Sequence, residues 1–89
     1  MNASAASKGN DPEKWEQLMQ ALDQKLQFGL LDYLSRVNAY HFEEETLFIE
    51  PASDADEEYL SKSANFQQLT LFAQEATGIE KVKIKKLEQ

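Results

Sequence analysis

Histidine, cysteine and clustered carboxylates are the residues of this 89-residue chain that could support catalysis, and their distribution is unfavourable for it. His41 is the only histidine, and the chain has no cysteine. Acid–base or nucleophilic catalysis needs a nucleophile beside a base, or two carboxylates that share a cleft. Because no spacing in the sequence assembles such a set around His41, we predict that the chain is not an enzyme.

The acidic segment 54–58 is a second candidate for chemistry, as a cation site. Calcium loops alternate oxygen ligands and contain a glycine, and the run Asp-Ala-Asp-Glu-Glu breaks that spacing. The three glycines are too far apart for a phosphate-binding loop or for the Gly-x-x-Gly clamp of RNA-binding KH domains, since they stand at positions 9, 29 and 78. We therefore predict no metal and no cofactor.

The charge of the chain bears on its partners. Sixteen acidic and nine basic residues give a net charge of −7, which disfavours nucleic acid as the main ligand, since that affinity comes from cations that displace counterions. Half of the acidic residues lie within positions 43–58. Four of the nine basic residues lie near the C-terminus, at Lys81, Lys83, Lys85 and Lys86. This asymmetry can steer a partner.

Length and composition indicate one small domain. With 42% apolar residues, the chain is typical of globular proteins, and at 89 residues it has room for one modest core. Its apolar runs are a few residues long, far below the ~20 that span a bilayer. We expect a cytoplasmic location, because the chain lacks cysteine and its first ten residues do not form a signal peptide. Residues 1–10 are expected to be a disordered linker or an expression remnant, and residues 11–87 the domain.

Two helices are predicted first. Asn10 or Asp11 caps the first helix and Pro12 suits its first turn. Its buried stripe recurs at spacings of three and four, through Trp15, Leu18, Met19, Leu22 and Leu26. Gly29 is predicted to end it. A short second helix then carries Leu30, Leu31, Leu34 and Val37.

A period of two begins near Asn38 and predicts a β-hairpin. We expect Phe42 to lie opposite Leu47 and Tyr40 opposite Ile49 on the inner face, because a one-residue slip would mix the apolar and polar sets. The reverse face then pairs His41 with Phe48 and Ala39 with Glu50. Residues 43–46 are predicted to form the connection. Glu44-Glu45 is poor chemistry for the tightest turn, so a four-residue loop over 43–46 is favoured over a two-residue loop flanked by a pair.

The C-terminal half predicts two helices and a strand. Pro51 ends the hairpin, and Ser53 or Asp54 caps a short acidic helix whose apolar residues are Ala55, Tyr59 and Leu60. A longer helix follows to Thr77-Gly78, with Phe66, Leu69, Phe72 or Ala73, and Ala76 facing inward. The alternating segment 81–85 is a strand. The order α-α-β-β-α-α-β predicts a two-layer, KH-like α+β domain, with a three-stranded sheet that has helices on one face.

The uncovered face of that sheet is the predicted partner-binding site, and the helix pair formed by the first two helices is the alternative docking surface. It carries His41, Phe48, Lys83 and Lys85, an aromatic anchor ringed by charge. Two alternatives remain open: Phe48 covered by a loop, or Phe48 in contact with another copy of the chain. Trp15 also has two interpretations, packing in the core or recognition of a partner.

The spaced residues resemble the C-terminal domain of the gamma/tau subunits of bacterial DNA polymerase III across residues 13 to 86. The resemblance rests on Trp15 with Leu18 and Leu22, the strand Leu47-Phe48-Ile49, Asn65 with Leu69, Gly78, and the strand Val82-Lys83-Ile84. It implies a tethering domain of a clamp-loader ATPase, with a polymerase or helicase subunit of the replisome as partner. The acidic segment 54–58 departs from that family, whose members more often carry aromatic or basic residues there, and this departure argues against a nucleic-acid or partner contact by the segment.

Other identities remain open beside this resemblance. The N-terminal domain of the replication initiator DnaA is similar in element order and also opens with a tryptophan-bearing helix. A KH-like nucleic-acid-binding module would use the lysines at 81, 83, 85 and 86. The net charge makes this last alternative the poorer one.

Overall fold

The structure, a computed structural model, describes residues 8–86 and confirms the predicted α+β class and element order. Within these residues the chain forms four helices and a three-stranded mixed sheet. The elements are α1 (Pro12–Gln24), α2 (Phe28–Ser35), β1 (Ala39–Glu43), β2 (Thr46–Glu50), α3 (Asp54–Ser61), α4 (Ser63–Thr77) and β3 (Lys81–Ile84). None of the helices in this part of the chain is long and apolar enough to cross a bilayer.

Helix α1 starts as predicted and ends early. The Asp11 side chain caps it by accepting a hydrogen bond from the Lys14 amide at 3.1 Å. The prediction that Gly29 ends this helix was wrong: α1 stops at Gln24, and Gly29 lies in the first turn of α2. Leu26 ends the helix instead, at φ 60°. Its side chain, predicted on the buried stripe, is 70% exposed.

The hydrogen bonds after α1 explain this ending. The Gln27 amide donates to the Leu22 carbonyl at 2.8 Å, and the Leu26 amide donates to the Asp23 carbonyl at 3.1 Å. This is the Schellman pattern, which needs a left-handed residue after the helix and usually has glycine there. Because leucine occupies that position here, the sequence carries no local signal for the break.

The hairpin has the predicted register and a shorter turn. Phe42 pairs with Leu47, and His41 pairs with Phe48. The prediction of a four-residue loop was wrong, because Glu43 pairs with Thr46 and leaves a two-residue turn. Both turn residues are left-handed, Glu44 at φ 50° and Glu45 at φ 64°, as a type I′ turn requires.

Contacts from the start of β3 hold this turn closed. The Glu45 carbonyl accepts hydrogen bonds from the amides of Glu80 at 2.8 Å and Lys81 at 3.1 Å. Burial of the inner face of the hairpin fixes the register, and this register leaves two residues for the turn. These tertiary requirements override the poor turn propensity of two glutamates.

Strand β2 is the centre of the sheet. It pairs with β1 antiparallel and with β3 parallel, and α3 and α4 make the crossover between β2 and β3. The inward side chains of the three strands join buried residues of all four helices in one core: Leu18, Leu22, Leu30, Leu34, Val37, Tyr40, Phe42, Leu47, Ile49, Leu60, Leu69, Ala73, Ile79 and Val82. Trp15 stacks on Tyr40 with ring centroids 4.3 Å apart, so it packs against this core.

Helix α3 buries a charge where apolar packing was predicted. Ala55 is exposed, whereas Asp56 is buried and its carboxylate accepts two hydrogen bonds from the Arg36 guanidinium, at 2.8 and 3.1 Å. These hydrogen bonds hold the pKa of Asp56 below its ordinary value. The rings of Tyr33 and Tyr59 stack with centroids 3.8 Å apart, and this contact also joins α2 to α3.

Residues 1–7 of the expected linker lie outside the described residues, whereas residues 8–10 pack on the domain. Gly9 lies so close to the Tyr40 ring that a Cβ atom would overlap it. The Asn10 side chain hydrogen-bonds the backbone of Phe42 in β1, through both its amide nitrogen and its oxygen. Of the expected domain 11–87, residue 87 also lies outside the described part.

Candidate functional site

The sheet brings the predicted partner-binding residues together on the face that points away from the core. His41, Phe48 and Lys83 are neighbours across β1, β2 and β3 in one row of the register. Lys85 follows on the same face, since its amide donates to the Ile49 carbonyl at 2.9 Å and continues the ladder. We call this the outer sheet face, defined by Glu43, Thr46, Lys81, His41, Phe48, Lys83, Glu50 and Lys85.

Phe48 is the aromatic centre of the outer sheet face. It is partly exposed, and Lys85 Nζ lies 4.9 Å from its ring centroid, within cation–π range. The His41 ring lies 6.4 Å from the same centroid at a tilt of 38°. No helix or loop within residues 8–86 buries Phe48, so the alternative of a covering loop receives no support from this part of the chain.

Charges on this face are segregated by strand. Glu43 on β1 lies 3.4 Å from His41, measured from Oε1 to Nε2, and both side chains are substantially exposed. Glu50 adds a second carboxylate on β2. Strand β3 contributes the exposed lysines, so the face runs from acidic to basic across the sheet.

The sequence reasoning missed one row of this face. Glu43, Thr46 and Lys81 occupy the position next to His41, Phe48 and Lys83. The signal was present, because side chains two positions apart in a strand share a face. It went unused for Glu43 and Thr46 because both were assigned to the hairpin loop. The register would have placed them on the outer face with a two-residue turn.

The surroundings of His41 are those of a partly exposed side chain on the sheet surface. His41 sits on an open surface beside an exposed carboxylate, and no hydroxyl or thiol nucleophile hydrogen-bonds to it in the described structure. No group of three histidine or carboxylate side chains within residues 8–86 could hold a metal ion. A cleft of about 350 Å³ beside the hairpin turn has four carboxylates among its lining residues, those of Asp11, Glu43, Glu44 and Glu45.

Asn65, one of the residues that carry the family resemblance, has a structural role. Its side-chain amide donates to the Tyr59 carbonyl at 2.8 Å, across the junction of α3 and α4. Gly78, another such residue, closes α4 at φ 82° as predicted. Both residues therefore shape the fold and lie outside the outer sheet face.

Comparisons of the chain with protein-family models, with curated proteins and with solved structures found no match. Function is therefore inferred from the residues and geometry described above.

Proposed function

We propose that this chain is a noncatalytic protein-interaction domain that docks through the outer sheet face. One observation carries the proposal: Phe48 stands partly exposed at the centre of a sheet face that no element within residues 8–86 buries, with His41, Lys83 and Lys85 around it. Aromatic side chains surrounded by polar groups are typical anchors of protein interfaces. In this proposal the site acts by burying its surface against a partner protein, without a chemical reaction.

The resemblance to the gamma/tau C-terminal domain suggests where such an interface would act. In this proposal the domain tethers the clamp loader of bacterial DNA polymerase III to a polymerase or helicase subunit in the cytoplasm. The interaction domain of the initiator DnaA is the alternative identity. A standard interface buries about 800 Å² on each partner, a feasible share of the 5547 Å² surface of this domain.

Nucleic-acid binding is a second candidate, because four lysines lie on or beside β3. Its expected signature is an affinity for single-stranded oligonucleotides that falls steeply as salt rises. The net charge of −7 opposes this function, since the rest of the surface repels a phosphate backbone.

The test is titration of the full 89-residue chain with purified polymerase and helicase subunits of a bacterial replisome, followed by calorimetry. Phe48→Ala is expected to weaken binding by about 2 kcal/mol, roughly 30-fold, as for a central anchor. Phe28→Ala is the matched control, since Phe28 is also exposed, at 55%, but lies on α2.

The two variants separate the docking surfaces. Equal affinity of Phe48→Ala and the unmodified chain, with a loss in Phe28→Ala, would move the interface to the helix pair. Absence of binding by the folded chain at high micromolar concentration to every subunit would contradict the replisome proposal. Salt-sensitive binding to oligonucleotides alone would favour the second candidate.

A further inference from the structure

The two edges of the sheet differ in how their backbone groups are satisfied. At the β1 edge, the Phe42 amide donates to Asn10 Oδ1 at 2.9 Å, and Asn10 Nδ2 donates to the Phe42 carbonyl at 2.8 Å. The Asn10 carboxamide thus takes the place of a neighbouring strand at this position. An edge closed in this way is a poor template for another chain.

Strand β3 has no such closure within residues 8–86. The amides of Lys81 and Lys85 donate to the carbonyls of Glu45, just before β2, and Ile49, within β2. The odd-numbered positions of this segment therefore direct their backbone groups toward β2. Backbone groups alternate along a strand, and therefore those of Val82 and Ile84 point to the outer edge. No described strand pairs with that side. The edge is a template for strand addition.

Apolar and charged features border the same edge. A shallow groove of about 270 Å³ lies beside β3, lined by Ser61, Phe66 and Ile84. It can accept an apolar side chain from a strand added to β3. Exposed lysines flank the edge in a segment that contains no acidic residue: Lys81, Lys83, Lys85 and Lys86. Although the domain has a net charge of −7, these four lysines attract an acidic segment to the β3 edge.

We propose that the outer edge of β3 binds an extended acidic segment of a partner protein, which adds to the sheet as a fourth strand. This inference rests on the proposed interaction function and specifies the chemistry of its partner. A second copy of the chain fits less well, because pairing two β3 edges brings lysines against lysines. Backbone pairing also requires a polypeptide, which distinguishes this partner from a nucleic acid.

Lysines on an edge strand also discourage pairing with other strands, so the charge of the probe is the decisive variable. The probe is a seven-residue acetylated and amidated peptide of alternating glutamate and valine. The matched control is the same peptide with lysine in place of glutamate. Each is titrated into the isotopically labelled full chain and followed by NMR chemical shifts and amide hydrogen exchange.

The acidic peptide is expected to bind and to slow exchange of the Val82 and Ile84 amides at least about tenfold at saturation. The lysine peptide is expected not to bind. Glutamate–valine peptides N-methylated at either the odd or the even positions should differ, since one of the two sets points its amides toward β3. Loss of binding in one methylated peptide and its retention in the other would establish backbone pairing.

Lys83→Glu is expected to weaken the acidic peptide about fivefold or more, because it reverses a charge beside the edge. Lys25→Glu is the matched control, since Lys25 is also exposed but follows α1. Binding without protection of Val82 and Ile84, equal loss in both methylated peptides, self-association through β3, or binding of a thymidine decamer with no peptide binding would each overturn the inference.

The outcomes for this edge are separate from those for the outer sheet face. If a replisome subunit binds and Phe48→Ala weakens it while the acidic peptide fails, the edge inference falls and the proposed function stands. If neither the peptide nor any subunit binds, both fall.

Discussion

The two-residue turn of the hairpin stores backbone strain, and its replacement should stabilise the protein. Glu44 and Glu45 both adopt left-handed conformations, at φ 50° and 64°. Residues other than glycine, asparagine and aspartate pay about 1 kcal/mol or more in this region. Asn-Gly is the preferred pair for a type I′ turn. We expect the double variant Glu44→Asn/Glu45→Gly to fold to the same hairpin with less strain.

The size of the gain follows from two opposing contributions. Relief of strain at two positions contributes about 2 kcal/mol. The greater freedom of glycine in the unfolded chain offsets about 0.5–1 kcal/mol of this. The net free energy of unfolding should therefore rise by about 1 kcal/mol, which raises Tm by roughly 4–8 °C in a domain of this size.

Urea unfolding measures this change, with Trp15 fluorescence as the probe, since Trp15 stacks on Tyr40 in the folded state. Removal of two adjacent carboxylates could stabilise the turn by itself. The control is therefore Glu44→Gln/Glu45→Gln, which removes the charges and keeps side chains that disfavour positive φ. The reasoning is refuted if the glutamine variant gains as much as the Asn-Gly variant, or if the Asn-Gly variant is no more stable than the unmodified chain.

Two further predictions concern contacts between distant parts of the chain. Asp56→Asn should lower the free energy of unfolding at pH 7. The folded-state pKa of Asp56 lies below its ordinary 3.8, so the difference between the variant and the unmodified chain should disappear as pH falls from 3.8 through the folded-state pKa. Urea unfolding against pH checks it, with the exposed Asp32→Asn, which also loses a pairing with Arg36, as a control of small effect. Asn10→Ala should lower the free energy of unfolding by about 1 kcal/mol, because it removes two hydrogen bonds to the backbone of Phe42. The same urea assay measures this change, and an unchanged urea midpoint would contradict the closure of the β1 edge by Asn10.

Features governed by short-range pattern were predictable from the sequence. The alternation around Phe42 and Leu47 specified the hairpin register, because a slip by one residue would expose the apolar set. Asp11 and Gly78 marked helix ends through local capping chemistry. The same register paired His41 with Phe48, so these two residues of the candidate site followed from periodicity. The place of β3 in the sheet did not, and the pairing of β2 with β3 puts Lys83 beside Phe48.

Features that depend on contacts between distant residues were decided by the tertiary structure. Leu26 ends α1 and Glu44-Glu45 makes a tight turn although neither sequence favours such a conformation, since packing and strand pairing determine where the chain reverses. Arg36 allows Asp56 to be buried, although the two lie 20 positions apart. The unequal edges of the sheet likewise arise from folding, because only the folded chain brings Asn10 to β1 and leaves the outer edge of β3 unpaired within the described residues. Periodicity specifies which side of a strand faces the core, whereas the partners of charged and backbone groups are settled by the three-dimensional path of the chain.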